Sequence, residues 1–241
     1  MEIKTAIILA AGKGTRLRSV TGDEIPKPLT PLNGLPIIEY SIQALKDSGV
    51  ESILIGCGHL LESFDYLEKK YEEVTIIENP FYDTRASIYT FLMFESLVDE
   101  PFYLLEADIL YDPAVFNKYK HTDRTKNFIF TSAPLNLDDN VYFSSENGRL
   151  SQLTKKIDNQ SKPEGAMTGI WVLSDGLIQR FAAYYNQTGA NYSEDYEMML
   201  ARYSREEEPI NIAHFPDLNW CEIDNEDHLE YALTQVLPKI S

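Results

Sequence analysis

The chain has 241 residues, 44% hydrophobic and 12% aromatic, enough to bury the core of one large domain, so disorder is excluded. Its net charge of −17 argues against a nucleic-acid binder, because gripping a phosphate backbone takes a cationic face. No apolar run approaches the roughly 20 residues that span a bilayer, and Met1-Glu2-Ile3-Lys4 enters a strand without a secretory signal's apolar core.

Thr5–Leu9 is a near-continuous apolar run, the pattern of a strand covered on both faces. Leu35, Ile38, Ile42 and Leu45 recur at helical spacing, and Gly49 supplies the left-handed residue that stops such a helix. Ser52–Gly56 reads as the second strand, Leu61–Tyr71 as a helix and Val74–Glu78 as the third strand. Ser87–Leu97 is again helical, and the apolar strand Phe102–Leu105 runs into Glu106-Ala107-Asp108. Strands separated by helices of this length predict βαβ units and a largely parallel sheet.

In the second half, Asn127–Ala133, Val141–Ser144, Leu150–Thr154 and Gly169–Leu173 read as strands, with a tight Asn147-Gly148 turn between the middle two. They predict antiparallel pairing added to the parallel sheet. Ser193 is placed to cap a helix with Glu194 and Asp195 in its first turn and Tyr196, Met199, Leu200 and Tyr203 on its core side. Asn211–Phe215 is a short strand and Glu226–Leu237 a final helix. No repeat, low-complexity tract or linker interrupts residues 1–241, so a single domain is expected.

The first strand ends in Gly12-Lys13-Gly14-Thr15, with Arg16 next and Lys27 following between Pro26 and Pro28. Glycines let a main chain approach a polyphosphate with its N–H groups, and the cations balance charge. Lys4, Lys13, Arg16, Arg18 and Lys27 outnumber Glu2, Asp23 and Glu24 in a chain otherwise strongly acidic, which points to a polyanionic ligand. The dinucleotide pattern G-x-G-x-x-G fails at Leu17, and no Walker run is present.

Glu106 and Asp108 end an apolar strand, and Glu222 and Asp224 sit at another strand-to-helix passage. Converging on a phosphate loop, acids from two distant segments suit a hard divalent cation. Lys155-Lys156, Asp138-Asp139 before Val141-Tyr142, and Glu194-Asp195 are further candidates in the half that would shape an acceptor pocket. Cys57 and Cys221 are far apart and read as reduced, cytoplasmic thiols, and His59, His121, His214 and His228 lack zinc-ligand spacing.

The run from Ile7 to Leu17, Lys27 between two prolines and Gly34-Leu35-Pro36 together resemble the nucleotidyltransferase family that includes sugar-phosphate and phosphocholine enzymes. The resemblance continues at Asn79-Pro80-Phe81-Tyr82-Asp83-Thr84, Glu106-Ala107-Asp108, Asn147-Gly148-Arg149-Leu150 and Glu222-Ile223-Asp224-Asn225-Glu226-Asp227. It implies an α/β fold, a Rossmann-like three-layer sandwich with a mixed, mostly parallel central sheet of the nucleotide-diphospho-sugar transferase type.

The same resemblance implies residue roles. Gly12, Lys13, Gly14, Thr15 and Arg16 would hold a triphosphate, with Lys27 on the phosphates. Asp108 and Asp224 would ligate Mg2+, with Glu106 alongside. Leu9, Ala11, Gly12 and the region from Thr84 to Ser87 would meet the nucleobase. The register of the Gly148 turn favours Lys156 over Lys155 as the lysine facing the acceptor.

Two departures stand out. Arg85-Ala86-Ser87 replaces the paired asparagines often seen in phosphocholine enzymes, and no tryptophan lies around Asp138–Tyr142. A quaternary ammonium is best held by aromatic faces, whereas a primary ammonium has three donors for carboxylates. Asp138 and Asp139 therefore favour a primary amine, although Tyr82, Tyr142, Trp171 and Tyr192 offer rings for an aromatic box.

The expectation is a Mg2+-dependent cytidylyltransferase joining CTP to 2-aminoethylphosphonate. The alternatives are phosphocholine, a sugar 1-phosphate with another nucleotide, or a non-catalytic nucleotide-binding module. Its partners would be small molecules, with neither nucleic acid nor membrane. A homodimer and a place in a longer fusion both stay open.

Overall fold

The computed structural model describes residues 3–119, 125–156, 163–189 and 191–240. Met1, Glu2 and His121, named above, lie outside them. The first half lays down β1 (Thr5–Ala10), the short α1 (Arg18–Thr21), a small hairpin of β2 (Pro31–Leu32) and β3 (Leu35–Pro36), and α2 (Ile37–Asp47). Next come β4 (Ser52–Cys57), α3 (Asp65–Lys70), β5 (Val74–Glu78), α4 (Ser87–Leu92), β6 (Phe102–Glu106), β7 (Ile109–Tyr111) and α5 (Ala114–Tyr119). The second half adds β8 (Asn127–Ser132), β9 (Tyr142–Glu146), β10 (Arg149–Thr154), β11 (Gly165–Leu173), α6 (Leu177–Gln187) and α7 (Tyr196–Glu206). It ends with β12 (Ile210–His214), β13 (Trp220–Glu222), α8 (Glu226–Tyr231), a π turn at Ala232–Val236 and α9 (Leu237–Ile240).

A nine-stranded sheet runs β5-β4-β1-β6-β11-β8-β12-β10-β9. The β5-β4-β1-β6 half is parallel, and β11 enters antiparallel beside β6. Alternation along the strands sends side chains to two cores. Ala6, Ile8 and Ala10 of β1 join one with Ile38, Ile42 and Leu45 of α2, while Ile7 joins the other with Ile88 and Phe91 of α4. Helices thus cover both faces, which is why β1 is apolar along its whole length. The mixed α/β sandwich is the one expected from the sequence. Among the described residues no helix is long and apolar enough to cross a membrane.

Several boundaries move for local reasons. Leu35 lies in β3, and α2 begins only after Pro36. Leu61–Phe64 is a 3-10 turn before α3, and α4 ends at Leu92. Ser193 caps nothing, because α7 starts at Tyr196 with Asp195 in the cap position. The segment before α7 is pinned to the start of α4 instead: Ala86 N–H donates to the Tyr192 carbonyl, and Tyr196 N–H donates to Ser87 Oγ at 3.0 Å. A side chain from another helix therefore does the capping. The final helix carries the π turn in its middle, and β7, α5, α6 and β13 were not foreseen.

Candidate active site

β1 and β6 are parallel neighbours with Leu9 opposite Glu106, so the glycine loop and Ala107-Asp108 leave the sheet at the same carboxyl edge. The β7–β13 ribbon brings in the remote acids. Ile109 pairs with Glu222, and Ile223 N–H donates to the Asp108 carbonyl at 2.9 Å, which sets Asp224 beside Asp108. Hydrophobic packing of Leu110, Cys221, Ile223, Ala232 and Val236 anchors that ribbon.

Lys27, 8% exposed, stands at the centre. Its Nζ lies 2.5 Å from Asp108 Oδ2 and 2.5 Å from Asp224 Oδ1. Arg16 Nη2 reaches the same Asp224 oxygen at 2.7 Å, and Arg16 Nη1 pairs with Asp139. Burial alone would lower the Lys27 pKa, but Asp108 and Asp224 outweigh it and hold the ammonium above its ordinary value. Gly14 makes room for this arrangement. It sits at φ 57°, and a Cβ there would meet Lys27 Cβ at 2.6 Å.

The acids crowd one another. Burial raises the Glu106 carboxyl to about 8, with Asp108 and Glu197 adding and the Tyr196 hydroxyl and Lys27 opposing. Glu222 is likewise raised, first by burial and then by Asp108, Glu106 and Asp224. Asp224 is held low despite burial, by Lys27 and Arg16. Gly169, at φ 76°, lets β11 pass against Glu106, since a Cβ would lie 2.6 Å from Glu106 Oε2.

This donor set fits Mg2+. Glu106, Asp108 and Glu222 offer oxygens within 4.8 Å of one another, and Asp224 Oδ2 is buried without a hydrogen-bond partner. All are hard oxygen donors around which a divalent cation would relieve like-charge repulsion.

Two cavities of about 240 Å³ each share Leu9, Gly12, Asp108 and Glu222. One runs along Gly14, Thr15, Arg16, Lys27 and Asp224. The other is lined by Tyr82, Arg85, Ala86, Ser87 and Thr90 together with Lys155, Asp195 and Glu197. Burial, with Asp195 adding and Lys155 opposing, raises the Glu197 carboxyl to about 7.

Of the residues singled out from sequence, Leu9, Ala11, Gly12, Gly14, Thr15, Arg16, Lys27, Tyr82, Ser87, Glu106, Asp108, Asp195 and Asp224 line these cavities. Others do not. Lys155 faces the cavity, 3.5 Å from Asp195 and 3.8 Å from Glu197, while Lys156 lies exposed outside the lining. Trp171 is fully buried in the core and donates to the Tyr196 hydroxyl at 3.2 Å. That hydroxyl donates to Glu106 at 2.9 Å, so Trp171 supports an acid rather than a substrate. Tyr192 packs on Arg85 and Tyr89, Glu194 accepts from the Tyr185 hydroxyl at 2.7 Å, and Tyr142 pairs within the sheet. Thr84 closes a turn on the Phe81 carbonyl, and Lys13 is exposed, 6.0 Å from the Tyr82 ring centroid.

Asp138 and Asp139 are the largest correction. Neither lines the cavity walled by Lys155 and Asp195. Asp139 pairs with Arg16, and Asp138 accepts from His228 Nε2 at 2.6 Å. The Asp224 backbone N–H donates to His228 Nδ1 at 3.3 Å, which leaves the His228 proton on Nε2 facing Asp138. A loop expected to hold an ammonium instead braces both Arg16 and Asp224. Arg85 and Glu197 are the cavity residues whose weight the sequence did not convey. A polar residue one helical step into α7, as Glu197 is after Asp195, was the available signal.

Residues 6–134 match the family of MobA-like NTP transferase domains. A 103-residue stretch is 42% identical to the choline-phosphate cytidylyltransferase of Streptococcus pneumoniae, covering 43% of this chain and 44% of that protein. A 110-residue stretch is 39% identical to the 2-aminoethylphosphonate cytidylyltransferase of Lancefieldella rimae, covering 45% and 44%. Each match therefore spans less than half of the relative. The solved structure of the inositol-1-phosphate CTP transferase from T. maritima superposes over 100% of this chain and 97% of that one, with a TM-score of 0.86 at 22% identity. A glycine loop, a lysine bridging two remote acids and a match over more than half of the residues agree: the chain belongs to the family of MobA-like NTP transferase domains.

Proposed function

We propose that this chain transfers CMP from CTP to a small amino-alkyl phosphonate, 2-aminoethylphosphonate, releasing pyrophosphate. The observation carrying the reading is the Lys27 ammonium between Asp108 and Asp224, at the junction of a phosphate-loop cavity and a second cavity with an acidic wall. The acceptor's ionised phosphonate oxygen attacks the α-phosphorus, the bond to the bridging oxygen breaks, and pyrophosphate leaves. No general base is needed, since the nucleophile is already an anion. The barrier lies in bringing anions together, and fixed cations lower it. Lys27 and Arg16 offset the triphosphate charge, and the Gly12–Thr15 backbone orients it. Mg2+, held by Asp108 and Asp224 with Glu222 beside them, would neutralise the phosphates and the departing pyrophosphate.

Asp195 and Glu197 support an ammonium-bearing acceptor, in the role first assigned to Asp138 and Asp139. Of the four rings singled out to box a quaternary ammonium, Trp171 is in the core, Tyr192 is on Arg85 and Tyr142 is in the sheet, which leaves Tyr82 in the cavity lining. The similarity to a choline-phosphate enzyme keeps phosphocholine as the second reading. Pyrophosphate release is to be assayed for four nucleoside triphosphates against 2-aminoethylphosphonate, phosphocholine and glucose 1-phosphate. Turnover with CTP and the aminophosphonate supports the proposal. Preference for phosphocholine moves the acceptor, and turnover with a sugar phosphate alone removes the reading.

A further inference from the structure

Arg85 makes an unusual set of contacts. Its guanidinium carbon lies 4.3 Å from the ring centroids of Phe81 and Tyr89 and 4.7 Å from that of Tyr192. The rings themselves pack edge to face, Phe81 on Tyr89 and Tyr89 on Tyr192. The side chain lines the cavity, yet among the described residues no carboxylate, carbonyl or hydroxyl accepts from it. A guanidinium has five N–H donors in a rigid planar fork and cannot shed its charge. Three rings thus hold a cation in place by its faces while its donors lack a protein acceptor. Arg16, Arg18, Arg180 and Arg202 all reach carboxylates, whereas the half-buried Arg85 is held by ring faces beside the cavity and leaves its donors to water or to a ligand.

The position narrows which ligand. With phosphates along Gly14, Arg16 and Lys27, the nucleoside and the acceptor must share the second cavity. Lys155, Asp195 and Glu197 give the lining the charges that suit an ammonium, and the segment carrying Arg85 adds Tyr82, Ala86, Ser87 and Thr90, all neutral. A neutral base with adjacent acceptors fits that neutral segment and its one guanidinium. Cytosine presents O2 and N3 side by side, both acceptors, to a two-pronged donor. Uracil presents N3–H at the same place, donor against donor.

We infer that Arg85, clamped by Phe81, Tyr89 and Tyr192, selects the nucleobase by donating to cytosine O2 and N3, and so discriminates CTP from UTP. The inference rests on the nucleotidyltransferase reading of the site. Its test is equilibrium binding, which needs no acceptor and stands apart from the turnover assay above. CTP, UTP and 3-deazacytidine triphosphate (C–H in place of N3) are titrated into wild type, Arg85→Lys and Arg85→Ala in the presence of Mg2+.

Wild type is expected to bind CTP about 10- to 100-fold tighter than either analogue, the range of a two-pronged base contact. Both variants should lose most of that preference by weakening toward CTP, with UTP nearly unchanged. Arg85→Lys keeps the cation within the rings but not the fork, so it guards against a collapsed clamp. Equal CTP and UTP affinity in wild type overturns the inference, as does a preference that survives both substitutions. Absence of turnover with every acceptor, alongside an Arg85-dependent preference, would instead sink the transferase proposal.

Discussion

Lys27 Nζ is shared by Asp108, at the end of β6, and Asp224, at the end of β13, at 2.5 Å from each. Removing it leaves buried carboxylates facing one another. Breaking a buried pair costs about 3–5 kcal/mol, so Lys27→Ala should melt roughly 10 °C below wild type. Mg2+ should raise the variant's midpoint more than the wild type's, because a cation is then missing. Turnover should fall about 10²–10³-fold. Equal Mg2+ shifts in the two proteins would separate Lys27 from the acids' electrostatics.

The two loop glycines should respond differently. At Gly14 a methyl group meets Lys27 and the backbone is left-handed, so Gly14→Ala should lose about 2 kcal/mol of stability. At Gly12 nothing lies within 4 Å of a Cβ, so Gly12→Ala should fold normally. Its methyl would project toward space lined by both cavities and weaken CTP binding. Urea titration and CTP titration of both variants check this. A normally stable Gly14→Ala contradicts it.

Asp138 touches no cavity ligand position in the proposed site, yet it acts on Asp224 through His228. Outer partners of this kind typically cost about 10- to 100-fold in metal affinity or activity when removed. Asp138→Ala should show that loss in the Mg2+ dependence of turnover, with little change in melting, because Asp138 is mostly exposed. Asp138→Asn keeps an acceptor for His228 Nε2–H and should recover most activity. Equal losses in both would mean that charge, not the hydrogen bond, matters.

Glu197 carries a pH signature. Its carboxyl is raised from 4.5 to about 7, so between those values the folded chain holds a proton that the unfolded chain has released. Stability from this group is complete below about 4.5 and is lost as pH rises through about 7. Glu197→Gln removes that loss, so the variant should gain on wild type by roughly 1–3 kcal/mol between pH 5 and pH 8. A pH-independent difference in melting would contradict the assignment.

The neighbouring lysines give a direct comparison. Lys155 lies on the cavity wall and Lys156 does not. Lys155→Ala should reduce turnover about 10- to 100-fold. Lys156→Ala should stay near wild type, and the reverse order would favour the register read from the Gly148 turn.

Much of the fold was legible because periodicity reports burial. The run Thr5–Leu9, the spacing of Ile38, Ile42 and Leu45, and the core side of α7 all follow from which face is covered. Among the elements missed, β7 and β13 have three residues each and carry no readable period, whereas the 11-residue α6 has a buried face at Leu177, Ile178, Phe181 and Tyr185 that the sequence did offer. The phosphate loop and the acid pairs were legible as chemistry, since their residue types and strand-end positions have few other uses. Asp138, Asp139 and Trp171 were misplaced because sequence names a side chain without its direction. One residue of register separates Lys155 from Lys156, and no pattern in the chain records it.

The β7–β13 ribbon has a consequence for biogenesis. A nascent polypeptide arrested before Trp220 already contains the glycine loop, Lys27 and Asp108, yet its acidic centre is half built. Pairing of that strand with β7 delivers Glu222 and Asp224 together, so the acidic centre is complete only once the two have docked.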